Sequence, residues 1–343
     1  MYDLTAGPSE QVSNPVGSPT GRPDPIPVLY ILGASRTGST IIANILGQLE
    51  GCFAVGELWN LWRRGLLERR LCGCGVPVPD CPVWREVLHL TFSGEVPGED
   101  EARRLDVLAR GKLRGRDLGA ALRRFGRPPE DDRDDYRWVL SRLYRAVSEV
   151  TGCRVIVDSS KGPIYGLFLA GLPDLQVTMV NVIRDSRAVA FSAQRRVRLH
   201  DFGDERLMQQ VPPWVGARRW LKWQLITDSV VRSRQPDLHC VKYEDFSREP
   251  RAVIAELARL VGDSTPLPFL AEHSARLGPT HSVSGNPSRF KTGAVPIRVD
   301  DEWRTAMGAR DKAVVTALTL PLLLYHGYPV LPRQDGDRVG HGG

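Results

Sequence analysis

The chain contains 343 residues, of which 42% are hydrophobic and 25% charged, which is enough to bury a large core in one or two domains. Its formal net charge is +6, and arginine carries most of the positive charge, because only six of the 46 basic residues are lysines. No run of basic residues with interleaved aromatic residues occurs, so the charge does not indicate a nucleic-acid partner; it suits planar recognition of phosphate or sulfate.

The two ends of the chain differ in composition from its middle. Residues 1–26 are rich in Pro, Gly and Ser and lack the apolar stretch of an export signal, so we expect a disordered leader. Residues 332–343 are polar and Gly-rich, and we expect a disordered tail. The longest apolar tract, Ala313–Tyr325, is too short to span a bilayer and contains Pro321. We therefore expect one ordered domain over residues 27–331 in a cytoplasmic protein.

The first predicted element is a buried parallel strand over Val28–Leu32. A loop of small residues follows, and apolar residues at helical spacing then predict a helix that ends near Leu49. Backbone N–H groups of such a loop and the positive end of the helix dipole meet at one place, so the segment predicts an anion-binding cradle. The alternative is an ordinary strand–helix turn. The loop residues that would form the cradle are Ser35, Arg36, Thr37, Gly38, Ser39 and Thr40.

The spacing of Gly33 and Gly38 nearly matches the nucleotide triphosphate loop G-x-x-x-x-G-K-[ST], but Ser39 stands where that motif has lysine. A kinase or NTPase uses this lysine on the outer phosphates of its nucleotide. Arg36 lies three positions earlier instead. The ligand is therefore predicted to be phosphate-like, but not a triphosphate that is hydrolysed.

Three cysteines lie close together in the sequence, at Cys72, Cys74 and Cys81. In the absence of an export signal, we expect thiols rather than disulfides. Zinc is one hypothesis for this cluster, with His89 or Cys52 as the fourth ligand. The C-x-C spacing is not the usual zinc pair and no second pair follows, so a structural or substrate-lining loop is favoured and no metal is predicted.

The segment after the first helix predicts a helical insertion over residues 59–135. Its first part, Trp59–Leu67, carries tryptophans and leucines that would share one helix face. Its remainder holds many charges, glycines and prolines among loosely spaced leucines. A clearer amphipathic helix is predicted over Tyr136–Val150, ended by Gly152.

Two further apolar runs predict core strands over Arg154–Asp158 and Gln176–Ile183. The first leads to a lone lysine, Lys161, and the second leads to Arg184. Open α/β sheets bind ligands at the carboxyl ends of their strands, so both cations are expected at that edge.

A second phosphate could bind between Arg184 and Ser192, a hydroxyl that lies eight residues further along the predicted helix. The alternatives are a salt bridge between Arg184 and Asp185, and an ordinary hydroxyl on a helix face.

A fourth strand is predicted over Leu238–Val241 and leads into Lys242–Asp245. The later loop over residues 285–293 carries Arg289 and Lys291 between glycines. A mobile loop that closes over a polyanion would have this composition, and so would a plain solvated turn.

Taken together, five stretches resemble the sulfotransferases that use 3′-phosphoadenosine-5′-phosphosulfate (PAPS). The resemblance covers roughly residues 27–330, and the order of the five motifs is more specific than any one of them. It implies a P-loop-like three-layer α/β/α fold with a central, mainly parallel sheet and helical insertions, as in the bacterial, carbohydrate and protein-tyrosine branches of that family. The stretches are Ser35–Thr40, Asp158–Lys161, Arg184 with Ser192, Lys242–Asp245 and Gly285–Phe290.

The resemblance implies PAPS as the co-substrate and no required metal. The first loop resembles the family's 5′-phosphosulfate-binding loop, and Arg184 with Ser192 resembles its 3′-phosphate-binding element. The residues that it implies for donor binding are Ser35, Arg36, Thr37, Gly38, Ser39, Thr40, Arg184, Ser192, Tyr243, Arg289 and Lys291.

The implied reaction transfers a sulfuryl group to a hydroxyl or amine, with Arg36 and Lys161 stabilising the leaving phosphate. Glu57 stands where several branches of the family place a glutamate base, shortly after the first helix, and is expected to accept the proton. The alternative for Glu57 is a carboxylate that only stabilises a helix N-terminus. His200 and Asp158 are the reserve candidates.

Two other classes of protein stay open: a P-loop-like kinase or NTPase, and a non-catalytic nucleotide-binding protein of the same fold. The expected acceptor is a small molecule, glycan or lipid that carries a hydroxyl group. Residues 59–135 and 195–215 are expected to shape its pocket. No nucleic-acid partner and no transmembrane segment are expected, and the oligomeric state stays open.

Overall fold

A five-stranded parallel sheet forms the centre of the computed structural model, which describes residues 24–113, 136–201, 206–262 and 265–330. Its strand order is β2-β3-β1-β4-β5, so the first strand of the chain lies in the middle. The strands are β1 (Ile26–Leu32), β2 (Cys52–Gly56), β3 (Val155–Lys161), β4 (Leu175–Ile183) and β5 (His239–Lys242).

Helices surround the sheet, and the longest of them ends the described chain. They are α1 (Ser39–Leu46), α2 (Pro82–Thr91), α3 (Glu99–Leu113), α4 (Tyr136–Thr151), α5 (Pro163–Ala170), α6 (Ser186–Ser192), α7 (Pro213–Ile226), α8 (Tyr243–Arg248), α9 (Pro250–Arg259), α10 (Trp303–Ala306) and α11 (Ala309–Tyr325). Within the described ranges, no helix has the length and apolar character needed to cross a bilayer.

Strand β1 shows why both faces of the sheet are covered. Successive side chains of a strand point to opposite faces, and nearly every residue of β1 is buried. Val28, Tyr30 and Leu32 pack into a core with helices α2, α4 and α5. Leu29 and Ile31 pack into a second core with α1 and α9. The predicted three-layer α/β/α fold with a parallel sheet is confirmed.

The register of the sheet brings the predicted site residues to one edge. Leu32 lies opposite Lys161, Asp158 opposite Gly56, and Ile183 opposite Lys242. Because all five strands are parallel, the loops that follow β1, β2, β3, β4 and β5 leave from the same side of the molecule.

Several elements differ from the sequence predictions. Strand β2 was not predicted, because its five residues are bounded by glycines and form no long apolar run. A second, antiparallel sheet was also missed; its strands are β6 (Phe269–Ala271), β7 (Ser274–Leu277) and β8 (Gly293–Pro296). The predicted helix face over 59–67 is instead a short 3₁₀ turn, Leu58–Asn60, followed by a π-helix, Leu61–Leu67.

Most of the predicted leader over 1–26, the predicted tail and part of the predicted insertion lie outside the described residues, at 1–23, 331–343 and 114–135. The last residue of the predicted leader, Ile26, is the first residue of β1. The described part of the insertion is helical in α2 and α3. The division into a leader, one domain over 27–331 and a tail stays a prediction.

Candidate functional site

A cavity of about 460 Å³ opens at the carboxyl edge of the sheet. Loops that follow four of the five strands contribute to its wall, and so does the chain after β7. The polar and charged residues that line it include Ser35, Arg36, Ser39, Thr40, Glu57, Arg64, Lys161, Arg184, Ser192, Arg195, Tyr243, Asn286, Ser288, Lys291, Arg298 and Asp300.

The loop after β1 has a conformation that glycine permits at two points. Gly33 has φ +141°, and a Cβ there would lie 2.3 Å from the carbonyl oxygen of Val182. Gly38 has φ +86°, and a Cβ there would lie 2.3 Å from the ring of Tyr243. The Thr37 hydroxyl donates a hydrogen bond to the Ala34 carbonyl at 2.9 Å and is fully buried, so Thr37 holds the loop from below. Helix α1 starts directly after Gly38.

The start of α1 is open towards the cavity. Gly38 has no side chain that could cap the helix, and Ser39 and Thr40, its first two residues, line the cavity wall. The first N–H groups of a helix have no intrahelical partner and attract anions. A helix N-terminus therefore faces the cavity where the sequence predicts an anion-binding cradle, and anion binding there stays a prediction.

Three guanidinium groups gather on one side of this cradle. Arg36, which has φ +72°, donates from Nε to the Ser192 hydroxyl at 3.0 Å. Arg184 donates to the Arg36 carbonyl at 3.1 Å. Burial lowers the pKa of Arg36, and the positive charges of Arg184 and Arg195 lower it further. A group of cations that repel one another in this way would be stabilised by a bound anion.

One carboxylate partly compensates these cations. Asp300 lies 2.9 Å from Arg184 and 3.0 Å from Arg195. The carboxyl is partly buried, which raises its pKa, but the hydrogen bonds and charges of the two arginines outweigh burial and lower the pKa below its ordinary value. Asp300 is therefore ionised near neutral pH and occupies two guanidinium groups at the cavity wall.

Arg184 is held in position by an aromatic ring. Its guanidinium carbon lies 4.4 Å from the centroid of the Tyr243 ring, the same ring that packs against Gly38. The alternative expected from the sequence, an Arg184–Asp185 salt bridge, is not formed. Asp185 pairs instead with Arg187, at 2.6 Å, and caps α6 by accepting from the Arg187 N–H. Arg184 therefore lies at the cavity wall, where its acidic partner is Asp300 rather than Asp185.

On another side of the cavity, Glu57 and Lys161 form an ion pair. Glu57 follows β2, and its carboxylate accepts hydrogen bonds from the Lys161 ammonium and, at 2.9 Å, from Asn60 Nδ2. Arg64 lies 3.5 Å away. Lys161 has φ +71°, a left-handed conformation that is rare for a residue with a side chain and that tends to persist at functional sites.

The charge state of Glu57 follows from its neighbours. Burial by itself raises the pKa of this carboxyl, but the positive charges of Lys161 and Arg64 and the hydrogen bond from Lys161 lower it below its ordinary value. Glu57 is therefore a carboxylate at neutral pH, the form that can accept a proton.

The structure does not bring every predicted site residue to the cavity. Lys291 lines it and is exposed. Arg289 does not line it: it is 1% exposed and donates to the carbonyl oxygens of Ser282 and Leu71 at 2.7 and 2.6 Å. The expectation that Arg289 belongs to a mobile closing loop does not match this placement, because two backbone carbonyls hold its guanidinium in the interior.

The two reserve bases also lie away from the cavity lining. His200 packs edge-on against Phe290. Asp158 is fully buried and accepts hydrogen bonds from the Tyr144 hydroxyl and, at 2.7 Å, from the Ser160 N–H. Burial raises the pKa of Asp158 to about 6, although these hydrogen bonds act in the opposite direction.

Sequence reasoning missed four charged residues of the wall, Arg64, Arg195, Arg298 and Asp300. Arg64 lies seven positions after Glu57 on the π-helix, and its guanidinium reaches Ser284 at 2.9 Å. Arg195 follows Ser192 by three positions, a helical spacing that could have pointed to it. No local signal marks Asp300, which comes to the arginines from the far end of the chain.

Comparisons with known proteins found similarity among solved structures. A scan against models of protein families and a search of curated proteins gave no match. Among solved structures, the chain is similar to the sulfotransferase domain of the olefin synthase of Synechococcus PCC 7002 (18% identity, 92% of this chain and 100% of that one, TM-score 0.49). It is also similar to the sulfotransferase domain of the curacin biosynthetic pathway (18%, 88% and 98%, 0.41) and to the sulfotransferase STF1 of Mycobacterium tuberculosis H37Rv (14%, 71% and 69%, 0.38).

All three are sulfotransferases or sulfotransferase domains. At identities of 14–18% and TM-scores of 0.38–0.49, this similarity assigns no donor, acceptor or residue role to the chain.

Proposed function

We propose that the protein transfers the sulfuryl group of PAPS to a hydroxyl or amine of an acceptor molecule. The observation that carries this proposal is a single cavity with a helix N-terminus and Arg36 at one wall, a buried Arg184 with Ser192 beside them, and a paired carboxylate and ammonium at another wall. The first two groups suit a nucleotide with phosphates on both sides of its ribose. The third suits proton transfer.

In the proposed complex, the Ser35–Thr40 loop and the start of α1 bind the 5′-phosphosulfate, and Arg184 and Ser192 bind the 3′-phosphate. Tyr243 supports Arg184 from below, and Lys291 adds positive charge from the exposed rim. Charge-assisted hydrogen bonds from arginine to phosphate are among the stronger polar contacts in proteins. The site would hold the donor in one orientation, which is most of what such a transfer requires.

In the proposed reaction, the acceptor oxygen attacks sulfur while the bond from sulfur to the 5′-phosphate oxygen breaks. The proton of the acceptor goes to the Glu57 carboxylate. Negative charge that builds on the leaving phosphate oxygen is stabilised by Arg36 and Lys161. When Glu57 is neutralised by the proton, its attraction for Lys161 falls, and the ammonium becomes available to the leaving oxygen at that moment.

The two alternative classes lack a supporting observation of their own. Ser39 stands where a kinase or NTPase has its phosphate-binding lysine, and the only cationic residue of the loop sequence is Arg36. A non-catalytic binding protein would not need the Glu57–Lys161 pair at the cavity wall. We infer that both residues act in catalysis.

A binding and turnover experiment tests the proposal. Adenosine 3′,5′-bisphosphate should bind more tightly than ATP, and PAPS incubated with the protein and a mixture of small-molecule, glycan and lipid acceptors should yield the bisphosphate together with a sulfated product. Tighter binding of ATP would favour the kinase class. Tight binding of the bisphosphate without any sulfated product across the mixture would favour the non-catalytic class.

A further inference from the structure

Three cysteines and one histidine meet at a point outside the cavity. The ligand atoms of Cys72, Cys74, Cys81 and His281 all lie within 4.8 Å of one another. His281 Nδ1 lies 3.3 Å from Cys81 Sγ and 4.0 Å from Cys72 Sγ. Cys81 Sγ also lies 3.7 Å from Cys74 Sγ. Cys72 and Cys81 are fully buried.

These separations match the edges of a metal coordination tetrahedron. Zinc binds thiolate sulfur at about 2.3 Å and imidazole nitrogen at about 2.0–2.1 Å, so neighbouring ligand atoms in a tetrahedral Cys₃His site are about 3.5–3.8 Å apart. The three distances in the cluster, 3.3, 3.7 and 4.0 Å, bracket that range. Small shifts of side chains would place all four atoms around one ion.

We propose that Cys72, Cys74, Cys81 and His281 bind one Zn²⁺ ion in a structural site. Soft thiolates with an imidazole favour zinc over the hard cations Mg²⁺ and Ca²⁺. Four protein ligands fill the tetrahedron and leave no position for a substrate, which is typical of structural rather than catalytic zinc. The sequence offered His89 or Cys52 as the fourth ligand; the fold supplies His281, 200 positions after Cys81.

The surroundings of the cluster favour a charged metal site over packed thiols. Cys81 immediately precedes α2, whose N-terminus stabilises a thiolate. A zinc ion with three thiolates and a neutral imidazole carries one net negative charge. The buried guanidinium of Arg289 donates to the carbonyls of Leu71 and Ser282, each adjacent in sequence to a proposed ligand. The carboxylate of Asp201 lies 3.8 Å from the same guanidinium, so Arg289 offsets the negative charge of the metal site only in part.

The proposed ion would join two distant segments behind the candidate active site. These segments already touch through Gly73 N–H, which donates to the Ser282 carbonyl at 2.9 Å, and Trp84 Nε1, which donates to the His281 carbonyl at 2.6 Å. Two residues beyond Ser282, the Ser284 carbonyl accepts from the Glu57 N–H at 3.0 Å. Zinc would therefore fix the segment that holds the backbone of Glu57.

The test begins with the unaltered full chain, purified under reducing conditions from medium that contains zinc. Elemental analysis should find about one zinc per chain, and replacement by Co²⁺ should give the intense ligand-field and thiolate charge-transfer bands of a tetrahedral site. Removal of the metal by a chelator should expose three additional reactive thiols. A chain that takes up no zinc or cobalt, or one that contains a Cys74–Cys81 disulfide, would overturn the proposal.

Variants then assign the ligands. Cys81→Ser and His281→Asn should each lose the stoichiometric metal or change the cobalt spectrum, whereas Cys153→Ser and Cys240→Ser, which alter cysteines outside the cluster, should leave both unchanged. An unchanged cobalt spectrum in His281→Asn would contradict the Cys₃His assignment. The thiol count in the unaltered chain decides the matter even if a ligand variant fails to fold.

Discussion

The Glu57–Lys161 ion pair joins the two chemical tasks of the proposed reaction in one contact. Glu57 has three cationic or amide neighbours, Lys161, Arg64 and Asn60, so its proton affinity is kept low. A base with a low pKa is a weak proton acceptor, but it is fully ionised at neutral pH. The pair is therefore suited to taking up a proton late, when the sulfur–acceptor bond has largely formed.

The first prediction separates the two members of this pair. Glu57→Gln keeps the shape but cannot accept a proton, so turnover should fall by roughly 10²–10⁴-fold. Affinity for the bisphosphate should not fall and should rise modestly, because the neutral amide releases Lys161 for the proposed 5′-phosphate. Lys161→Ala should lower both turnover and bisphosphate affinity, because its charge meets the leaving phosphate in the product as well. Steady-state kinetics and calorimetric binding measure the two effects.

Glu68→Gln is the matched control for that prediction. Glu68 also pairs with two arginines, Arg63 and Arg70, and its pKa is also below the ordinary value because their hydrogen bonds and charges outweigh burial. It does not line the cavity. Near-full turnover in Glu57→Gln with the true acceptor would rule out Glu57 as the base.

The second prediction is that the stability of the fold depends on pH through the titration of Asp158. Its pKa is about 6 in the folded protein and about 3.9 in an unfolded chain, so the folded state binds the proton more tightly. Its contribution to stability is then complete below pH 4 and is lost as the pH rises to about 6, by roughly 2–3 kcal/mol. Asp158→Asn should lack this decline, which denaturant unfolding at pH 4 and pH 7 would measure.

Glu57 acts on stability with the opposite sign. Its folded-state pKa is lowered, so its contribution is present above the unfolded value of about 4.5 and is lost as the pH falls through the lower folded value. Because burial is the main cause of the raised pKa of Asp158 and the negative charge of Glu57 is a smaller one, the Asp158 decline should be reduced in Glu57→Gln but still present. If unfolding of Asp158→Asn has the same pH slope as the unaltered chain, Asp158 is not the group that titrates.

The third prediction concerns the 3′-phosphate. Arg184→Ala should weaken binding of adenosine 3′,5′-bisphosphate by roughly 10- to 100-fold, because a buried charged hydrogen bond contributes about 1.5–3 kcal/mol. Adenosine 5′-phosphate, which lacks the second phosphate, should lose much less affinity. Equal losses for both nucleotides would place Arg184 elsewhere in the complex.

The fourth prediction concerns Asp300, the carboxylate that forms ion pairs with both Arg184 and Arg195. Asp300 competes with an incoming phosphate for Arg184 and Arg195, so Asp300→Asn should tighten bisphosphate binding by roughly two- to fivefold, the range of a partly exposed ion pair. Glu302→Gln, which alters an exposed partner of Arg195 alone, should change affinity less. Weaker binding in Asp300→Asn would show that Asp300 contacts the nucleotide.

At the scale of elements, the contact between the β1–α1 loop and α8 carries the site. Tyr243, the first residue of α8, packs its ring on Gly38 and under Arg184, so one ring sets the spacing between the two proposed phosphate positions. Any side chain at position 38 would push this ring away. Moving the ring would change the distance between the β1–α1 loop and the guanidinium of Arg184.

The fifth prediction tests that contact. Gly38→Ala combines a left-handed backbone with a clash against Tyr243, whereas Gly152→Ala has a left-handed backbone, φ +64°, and nothing within 4 Å of the new Cβ. The control should lose about 1–2 kcal/mol of stability from backbone strain alone. Gly38→Ala should lose more and should also weaken bisphosphate binding, as thermal unfolding and calorimetry would show. Equal behaviour of the two variants would mean that the ring moves without cost.

At the scale of the whole molecule, the sequence predicted those features that depend on residues close together in the chain. Strands β1, β3 and β4 were predicted because buried parallel strands are continuous apolar runs, and their common direction placed Lys161 and Arg184 at one edge. Strand β5, which lies at the edge of the sheet and has one buried residue, was predicted from the short run Leu238–Val241. Features that depend on distant residues escaped. Asp300 and His281 carry no signal in their own neighbourhood, and Arg289 looked like a phosphate ligand because its loop composition does not reveal which way it folds.

The late position in the chain of the residues that close the cavity affects when the site can form during synthesis. All five strands of the sheet have been made once residue 242 is complete, yet the cavity wall is closed by residues 284–300, and Asn286 meets Thr40 across 246 positions of chain. A growing polypeptide can therefore assemble its sheet while one side of the proposed nucleotide site is still unmade. Ribosome-bound chains that have emerged as far as residue 265 should resist protease over the sheet but fail to retain the bisphosphate, and retention should begin only after residue 300 has emerged.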